Sequence, residues 1–252
     1  MIIFLKRKRR LRKKNNPKVF IDMPCYDTMK VETCVSILNT YAVLAKSGVE
    51  CIFKSVKSSL VTHARNLLTA GFMASEYDYM LFVDADVEFE PTAVLRMLVP
   101  EKDIVVTPYR LKENPLQVKY PVEHLDPENI KILPFDLVEL KSAPAGLMLI
   151  NRSVFKVLMA KYANKRIKFD KEHQAKMDAE VGYRGAIEKY MYNFWDTSFK
   201  DHEWKGEDLA FCELARRCSI KIYANLDSWT THHGSWGFRG VFGDSLKKKE
   251  DK

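Results

Sequence analysis

The sequence lacks long apolar runs and paired cysteines. Its five cysteines are odd in number, widely spaced and free of any CxxC pair, which argues against a disulfide framework or a zinc site. Residues 1–5 supply only five apolar positions, fewer than the ~7–15 of a signal-peptide core. No other segment approaches the ~20 apolar residues that a membrane-spanning helix needs. These absences favour a cytoplasmic protein in a reducing compartment.

Net positive charge is also nearly absent outside one segment. The formal net charge is +8, and residues 6–14 (KRKRRLRKK) alone carry eight positive charges, so the rest of the chain is nearly neutral. Basic arms of this kind are usually disordered and attach to anionic surfaces. We therefore expect an arm over 1–16 that contacts an anionic membrane peripherally, a single domain over 17–240 and a charged tail over 241–252. No nucleic-acid partner is expected.

Apolar periodicity predicts alternating strands and helices. Strands are expected at 18–22, 49–53, 79–83, 103–107, 146–150 and 219–224, and helices at 31–47, 60–74, 92–98, 153–162 and 207–217. Residues 110–142 are expected to be irregular, and 163–205 to form a loop over a site. The alternation predicts an α/β protein with a Rossmann-like, mainly parallel central sheet flanked by helices.

The strongest local signal is the sequence Asp84-Ala85-Asp86 at the end of the fully apolar strand 79–83. Ligands of open α/β sheets bind at this carboxyl edge. Carboxylate oxygens suit Mg²⁺ or Mn²⁺, which can bridge a protein and a diphosphate. Asp84 and Asp86 are therefore candidate metal ligands, although a solvated pair of surface carboxylates gives the same pattern.

A longer block extends this signal. Ala64-Arg65-Asn66, then Ala74 and Glu76, and then residues 81–86 (LFVDAD) resemble in order and spacing the ARN…A.G…fLDaDd block of family 2-like GT-A glycosyltransferases. The resemblance covers about residues 18–238. It implies a GT-A fold and a compact, stand-alone enzyme that moves a sugar from a nucleoside-diphosphate sugar to a hydroxyl of a glycan or another sugar.

The resemblance also implies roles for residues that contact the donor. Arg65 would lie along the nucleotide, Asp84 would approach the ribose, and Asp86 would hold the metal. The loop after the first strand would receive the base and ribose through Pro24, Tyr26 and Asp27. A plain turn explains Asp27 equally well, because aspartate favours turns for local reasons.

Two further elements match the family in order. Gly206-Glu207-Asp208 opens a helix where inverting members place their catalytic base, so Asp208 would accept the proton of the acceptor hydroxyl. Acidic residues also stabilise a helix start without any catalytic role. Thr231-His232-His233-Gly234 resembles the HxG element that completes the metal shell, with His232 as the ligand and His233 as its substitute. An imidazole favours Mn²⁺ over Mg²⁺.

Other interpretations of the sequence remain. A nucleotidyltransferase could share the sheet and the paired carboxylates, but it usually needs a glycine-rich phosphate loop, and residues 23–27 (MPCYD) follow the first strand instead. A nucleic-acid-binding module using residues 6–14 is another alternative, and a retaining mechanism is an alternative to the inverting one. Trp204 is a candidate for stacking on a sugar or for ordinary packing.

Overall fold

The computed structural model describes residues 16–113, 117–168 and 187–247. Its first part contains β1 (Lys18–Cys25), α1 (Val31–Lys46), β2 (Glu50–Lys57), α2 (Val61–Ala74), β3 (Tyr79–Val83), β4 (Val87–Phe89), α3 (Ala93–Leu98) and β5 (Ile104–Val106). This order confirms the predicted alternation of strands and helices.

The second part is more mixed. It contains β6 (Glu123–His124), β7 (Ile132–Leu133), β8 (Leu137–Ser142), β9 (Leu147–Asn151), α4 (Arg152–Lys161), a 3₁₀ turn (Ala163–Lys165), α5 (Ile187–Tyr190), β10 (Ser198–Lys200), β11 (Glu203–Lys205), α6 (Glu207–Arg216), β12 (Ile222–Asn225), β13 (Trp229–His233), β14 (Gly237–Val241) and α7 (Phe242–Lys247).

Four segments differ from the expectation or test it only in part. The supposedly irregular stretch 110–142 contributes β6, β7 and β8 to the main sheet. Within 163–205, residues 169–186 lie outside the described part, and the remainder forms α5 and the β10–β11 hairpin. The basic arm likewise falls almost entirely outside the described residues. In the segment expected as a charged tail, α7 forms and Phe242 is buried.

The main sheet has the order β2-β1-β3-β9-β5-β12-β8-β6, with β7 also paired to β8. The strands β2, β1 and β3 are parallel neighbours, and β12 is parallel to β5. Because β9 and β8 are antiparallel to their neighbours, they run against the other strands. The fold is thus a single α/β domain with a mainly parallel central sheet, as the sequence predicts.

Helices cover both faces of this sheet and bury two apolar layers. One layer joins α2, α4 and α6 to the sheet, and the other joins α1 and α3. The central strands β3 and β9 are buried along almost their whole length, as expected for strands covered on both sides. Burial of each large apolar side chain contributes about 1.5–3 kcal/mol, so these layers fix the strand ends that carry the candidate site.

Helix α2 is enclosed on all sides. Every residue from Ala64 to Met73 is buried, including Arg65, Asn66 and Thr69. Polar groups in such a position need internal partners. They therefore connect α2 to distant parts of the chain.

A second sheet has the order β14-β13-β4. Since β4 begins directly after Asp86 and pairs antiparallel with β13, the register places His232 opposite Val87. Strand pairing thus brings residue 232 next to the end of β3. Within the described ranges, none of the helices combines the length and the hydrophobicity required to cross a bilayer.

Candidate active site

A cavity of about 470 Å³ lies at the carboxyl ends of β1, β2 and β3. Its wall includes five of the six residues expected to contact the donor: Pro24, Tyr26, Arg65, Asp84 and Asp86. Asp27, the sixth, does not line the cavity. It forms an ion pair with Lys57 at 2.7 Å, and both side chains are largely exposed. The expected loop and strand ends therefore converge, but Asp27 belongs to the surface.

Arg65 links the end of β3 to the start of α6 by two hydrogen bonds. Its Nη2 donates to Asp84 Oδ1 at 2.7 Å, and its Nε donates to Glu207 Oε1 at 3.2 Å. The guanidinium also lies against the rings of Phe82 and Trp195, with centroid distances of 4.9 and 5.6 Å. Nη1 is buried and has no hydrogen-bond partner. A guanidinium that is held in place and has an unpaired Nη1 can donate a hydrogen bond from this nitrogen to an anionic or carbonyl oxygen.

Asp84 is held in a tightly packed position. Its backbone N–H donates to the carbonyl of Gly146 at 2.9 Å. A Cβ added at Gly146 would lie 2.5 Å from Asp84 Oδ2 and would also overlap the ring of Tyr109. The missing side chain at 146 therefore makes room for the carboxylate and for Tyr109. Tyr109 is a site residue that sequence patterns did not identify, although it follows closely after β5.

Asp86 lies between two basic side chains. Lys112 Nζ contacts Oδ2, and His232 Nε2 lies 3.6 Å from Oδ1. Burial by itself raises the pKa of Asp86, but hydrogen bonds from His232 and Lys112 outweigh it and lower that pKa to about 2. The carboxylate is therefore ionised at every physiological pH. In the sequence, Lys112 resembles an ordinary surface charge, so this contact was not predicted.

A hydrogen bond at Nδ1 sets the orientation of the His232 ring. Nδ1 lies 2.9 Å from the carbonyl oxygen of Arg110. Because a carbonyl oxygen only accepts, Nδ1 donates its proton to Arg110, and the ring holds Nε2 toward Asp86. A backbone carbonyl behind the ring is the usual arrangement for a metal-binding histidine. His233, the substitute ligand, faces Glu88 at 3.1 Å instead.

The three expected metal ligands do not all converge. Asp86 and His232 lie together, whereas the carboxylate of Asp84 faces Arg65. In the part of the chain that the structure describes, no group of three or more His, Cys, Asp or Glu side chains is arranged to hold a metal. An oxygen and an imidazole nitrogen nevertheless suit Mn²⁺, and a diphosphate would supply further oxygens. Asp86 and His232 would thus supply two protein ligands to a cation, beside Lys112, which contacts Asp86 in this structure.

Helix α6 begins with the two acids of the Gly206-Glu207-Asp208 motif. Glu207 lines the cavity and pairs with Arg65, a contact that the sequence did not reveal. Asp208 is half-buried and its Oδ1 accepts the N–H of Leu209 at 2.8 Å. Burial, followed by the charge of Glu207, raises the pKa of Asp208 above its ordinary value. A carboxylate with a raised pKa is a stronger base.

Aromatic residues near α6 fall into two groups. Trp195 is completely buried and stacks on Phe211 at 3.9 Å, so the run 190–195 provides packing. Trp204 is exposed on β11 and lies opposite Phe199 of β10, with ring centroids 6.2 Å apart. Trp204 therefore contacts Phe199 while most of its surface stays exposed, and its stacking on a sugar stays a prediction.

No model of a known protein family and no curated protein matches the chain. Among solved structures, A197 from STIV is similar, with a TM-score of 0.48 and 17% sequence identity over 86% of each chain. A similarity of this strength supports no assignment of family or activity.

Proposed function

We propose that the chain is a metal-dependent glycosyltransferase of the GT-A type, which moves a sugar from a nucleoside-diphosphate sugar to a hydroxyl of a glycan or another sugar. The observation that carries the proposal is the convergence of Asp84, Asp86, Arg65 and Glu207 on one cavity at the carboxyl edge of parallel strands. This edge is where open α/β sheets bind nucleotides. The sequence resemblance to family 2-like GT-A glycosyltransferases independently supports the same proposal.

Each site residue has a distinct role in this proposal. Asp86 and His232 would hold Mn²⁺ or Mg²⁺, which when bound neutralises the departing diphosphate. Pro24 and Tyr26 would line the place of the base and ribose, and Asp84 would approach the ribose. Arg65 keeps Asp84 in position through its ion pair.

The transfer itself is proposed as a single displacement with inversion. The acceptor oxygen forms a bond to the anomeric carbon while the bond from that carbon to the diphosphate oxygen breaks, and its electron pair leaves with the diphosphate. The proton of the acceptor hydroxyl passes to the carboxylate of Asp208. Its raised pKa makes this carboxylate a better proton acceptor than an exposed aspartate.

Donor binding is the first test. Thermal shift and isothermal titration with UDP-, GDP-, CDP- and dTDP-sugars are measured with Mn²⁺, Mg²⁺ or chelator. We expect one class of donor to stabilise the protein only when metal is present, and Asp86→Ala to abolish this effect. Asp103→Asn, which changes an exposed acid outside the cavity, serves as the control. Absence of a response to every donor would contradict the proposal.

The assignment of the base has its own test. Asp208→Asn is expected to bind donor and metal normally but to lose transfer by a factor of at least about 100, the usual contribution of a general base. In the wild type, the rate should fall as the pH is lowered through the raised pKa of Asp208, because the base must be ionised. Normal transfer by Asp208→Asn would exclude Asp208 as the base.

A further inference from the structure

Helix α1 exposes an apolar stripe to solvent. Val31, Val35 and Leu38 are 73%, 48% and 63% exposed. Ala42 and Ala45 are exposed as well. These five residues, which we call the α1 stripe, recur every three or four positions and therefore lie on one face of the helix.

The core does not use this stripe. Helix α1 packs on β4 and β2 through another face, which buries Thr33, Ser36 and Thr40 together with Ile37 and Leu44. The hydroxyls of Thr33 and Thr40 have no hydrogen-bond partner there, and Ser36 accepts the N–H of Phe89 at 3.1 Å. The helix thus buries three hydroxyl side chains beside Ile37 and Leu44, while the five aliphatic side chains of the α1 stripe face solvent, where an ordinary surface helix carries polar groups.

One edge of the stripe carries opposite charges at its two ends. Glu32 lies in the first turn and Lys46 in the last turn, with Asn39 midway between them. Seven-residue spacing places all three on the same side of the stripe. Among the described residues, neither Glu32 nor Lys46 has an ion-pair partner.

We propose that the α1 stripe is the interface of a homodimer, in which it packs antiparallel against the same stripe of a second copy of this chain. A two-fold axis at Leu38 places Val31 against the partner's Ala45 at each end. The same operation brings Glu32 beside the partner's Lys46, so that each dimer contains this opposite-charge pair twice. An interface of this kind is closed and self-complementary. The proposal does not depend on the proposed function.

A membrane surface is the competing occupant. Helices that lie on anionic bilayers carry Lys or Arg along the polar face and often Trp or Phe on the apolar face. The edge of the α1 stripe instead carries Glu32, Asn39 and a single lysine, Lys46, and the stripe itself ends in two alanines. Lys30, which precedes the helix, lines the cavity. Small side chains let two helices approach closely, so the composition favours a protein partner.

The size of the stripe predicts a weak dimer. A helix of 16 residues is roughly 24 Å long and about 10 Å wide, so it supplies less than the ~800 Å² per partner of a standard interface. Sedimentation velocity of the full chain should therefore show monomer at low micromolar concentration and a growing dimer fraction at several hundred micromolar.

Charge reversal tests the antiparallel geometry. Glu32→Lys places two positive charges at each end of the dimer, and the dissociation constant should rise roughly two- to thirtyfold. Combining it with Lys46→Glu restores opposite charges and should return the constant to the wild-type value. Both positions are exposed, so the variants keep the fold, which circular dichroism checks.

Leu38 provides a second test at the axis. Leu38→Glu should abolish dimerisation, whereas Val157→Glu, which changes an exposed apolar residue of α4, should leave it intact. In a Cys34→Ser background, Leu38→Cys should form a disulfide-linked dimer under mild oxidation, and Val157→Cys should not.

Four results would overturn the proposal. The chain could stay monomeric at every concentration, or it could dimerise equally with Leu38→Glu. It could also remain monomeric in solution while binding vesicles of phosphatidylcholine and phosphatidylserine in a way that Leu38→Glu abolishes, which would assign the stripe to a membrane. A dimer that is lost on removal of residues 1–15 but kept in Leu38→Glu would assign dimerisation to the arm.

Discussion

Asp22 is a carboxylic acid in the middle of β1 with no contact to water. Neither of its oxygens has a hydrogen-bond partner. Burial raises its pKa well above the ordinary value, against a smaller opposite effect of the Lys54 charge. Ionisation of Asp22 therefore costs folding free energy, and the cost increases with pH.

Asp22→Asn removes this titration while keeping the shape of the side chain. Because the pKa is higher in the folded state than in the unfolded state, the stability of the wild type relative to the variant is greatest below about pH 4. It then falls by about 1.4 kcal/mol per pH unit until the folded pKa is reached. Urea denaturation from pH 4 to pH 8 measures this difference, with Asp103→Asn as the exposed control. A difference that does not change with pH would show that Asp22 stays in one protonation state.

The absence of a side chain at Gly146 leaves room for Asp84 and Tyr109. A Cβ there would overlap Asp84 and Tyr109, and neither is a flexible chain end. Gly146→Ala should therefore displace Asp84, cost about 1–3 kcal/mol of stability as overpacking does, and weaken donor binding. Calorimetric titration and thermal denaturation measure the two effects. Gly234→Ala is a control for stability alone, because its Cβ would meet the flexible chain of Lys112 at 3.1 Å and the ring of Phe238 at 3.8 Å, while Lys112 itself contacts Asp86. Unchanged donor binding in Gly146→Ala would separate this glycine from the site.

Among the elements, the C-terminal end of α2 is capped by a side chain from another helix. The carbonyl groups of its last turn and of the following loop accept hydrogen bonds from the guanidinium of Arg152 at the start of α4. The distances are 2.7 Å to Phe72 O and 3.0 Å to Ser75 O, and the guanidinium lies 4.4 Å from the ring of Phe72. One side chain thus satisfies the C-terminal carbonyls that a helix leaves open.

Removing this cap should loosen α2 and the strand that follows it. Arg152→Met keeps the length of the side chain but loses every donor, and we expect a loss of about 2–4 kcal/mol in the free energy of unfolding, because the part-buried carbonyls of Met73, Ser75 and Tyr77 lose this donor. Lys156→Met on the exposed side of α4 should change stability by less than about 0.5 kcal/mol. Chemical denaturation compares the two variants, and equal effects would refute a capping role.

For the whole molecule, the sequence predicts the parts that local patterns encode. The apolar run of β3, the helix of residues 61–74 and the position of Asp84 and Asp86 at a strand end follow from periodicity and composition. The partners of charged groups do not, because the contacts of Lys112 with Asp86 and of Glu207 with Arg65 depend on strand order. Periodicity also predicts that α1 is a helix without revealing that its aliphatic face points to solvent.

Arg65 connects sequence-distant parts of the molecule at the site. It ties Asp84, at the end of β3, to Glu207, which is 142 residues away in sequence at the start of α6. Arg65 is only 3% exposed, so water cannot replace its contacts. Arg65→Met leaves two carboxylates without their shared cation, and we expect a loss of about 3–5 kcal/mol in the free energy of unfolding.

The matched control is Arg217→Met, which removes a largely exposed ion pair with Glu213 and should cost at most about 1 kcal/mol. Combining Arg65→Met with Glu207→Gln relieves one of the unpaired charges, so the double variant should be more stable than the sum of the two single losses predicts. Denaturant titration of the wild type, Arg65→Met, Glu207→Gln and the double variant yields this coupling energy. If the losses add within error, Arg65 and Glu207 act separately, and the ion pair does not hold the start of α6 against β3.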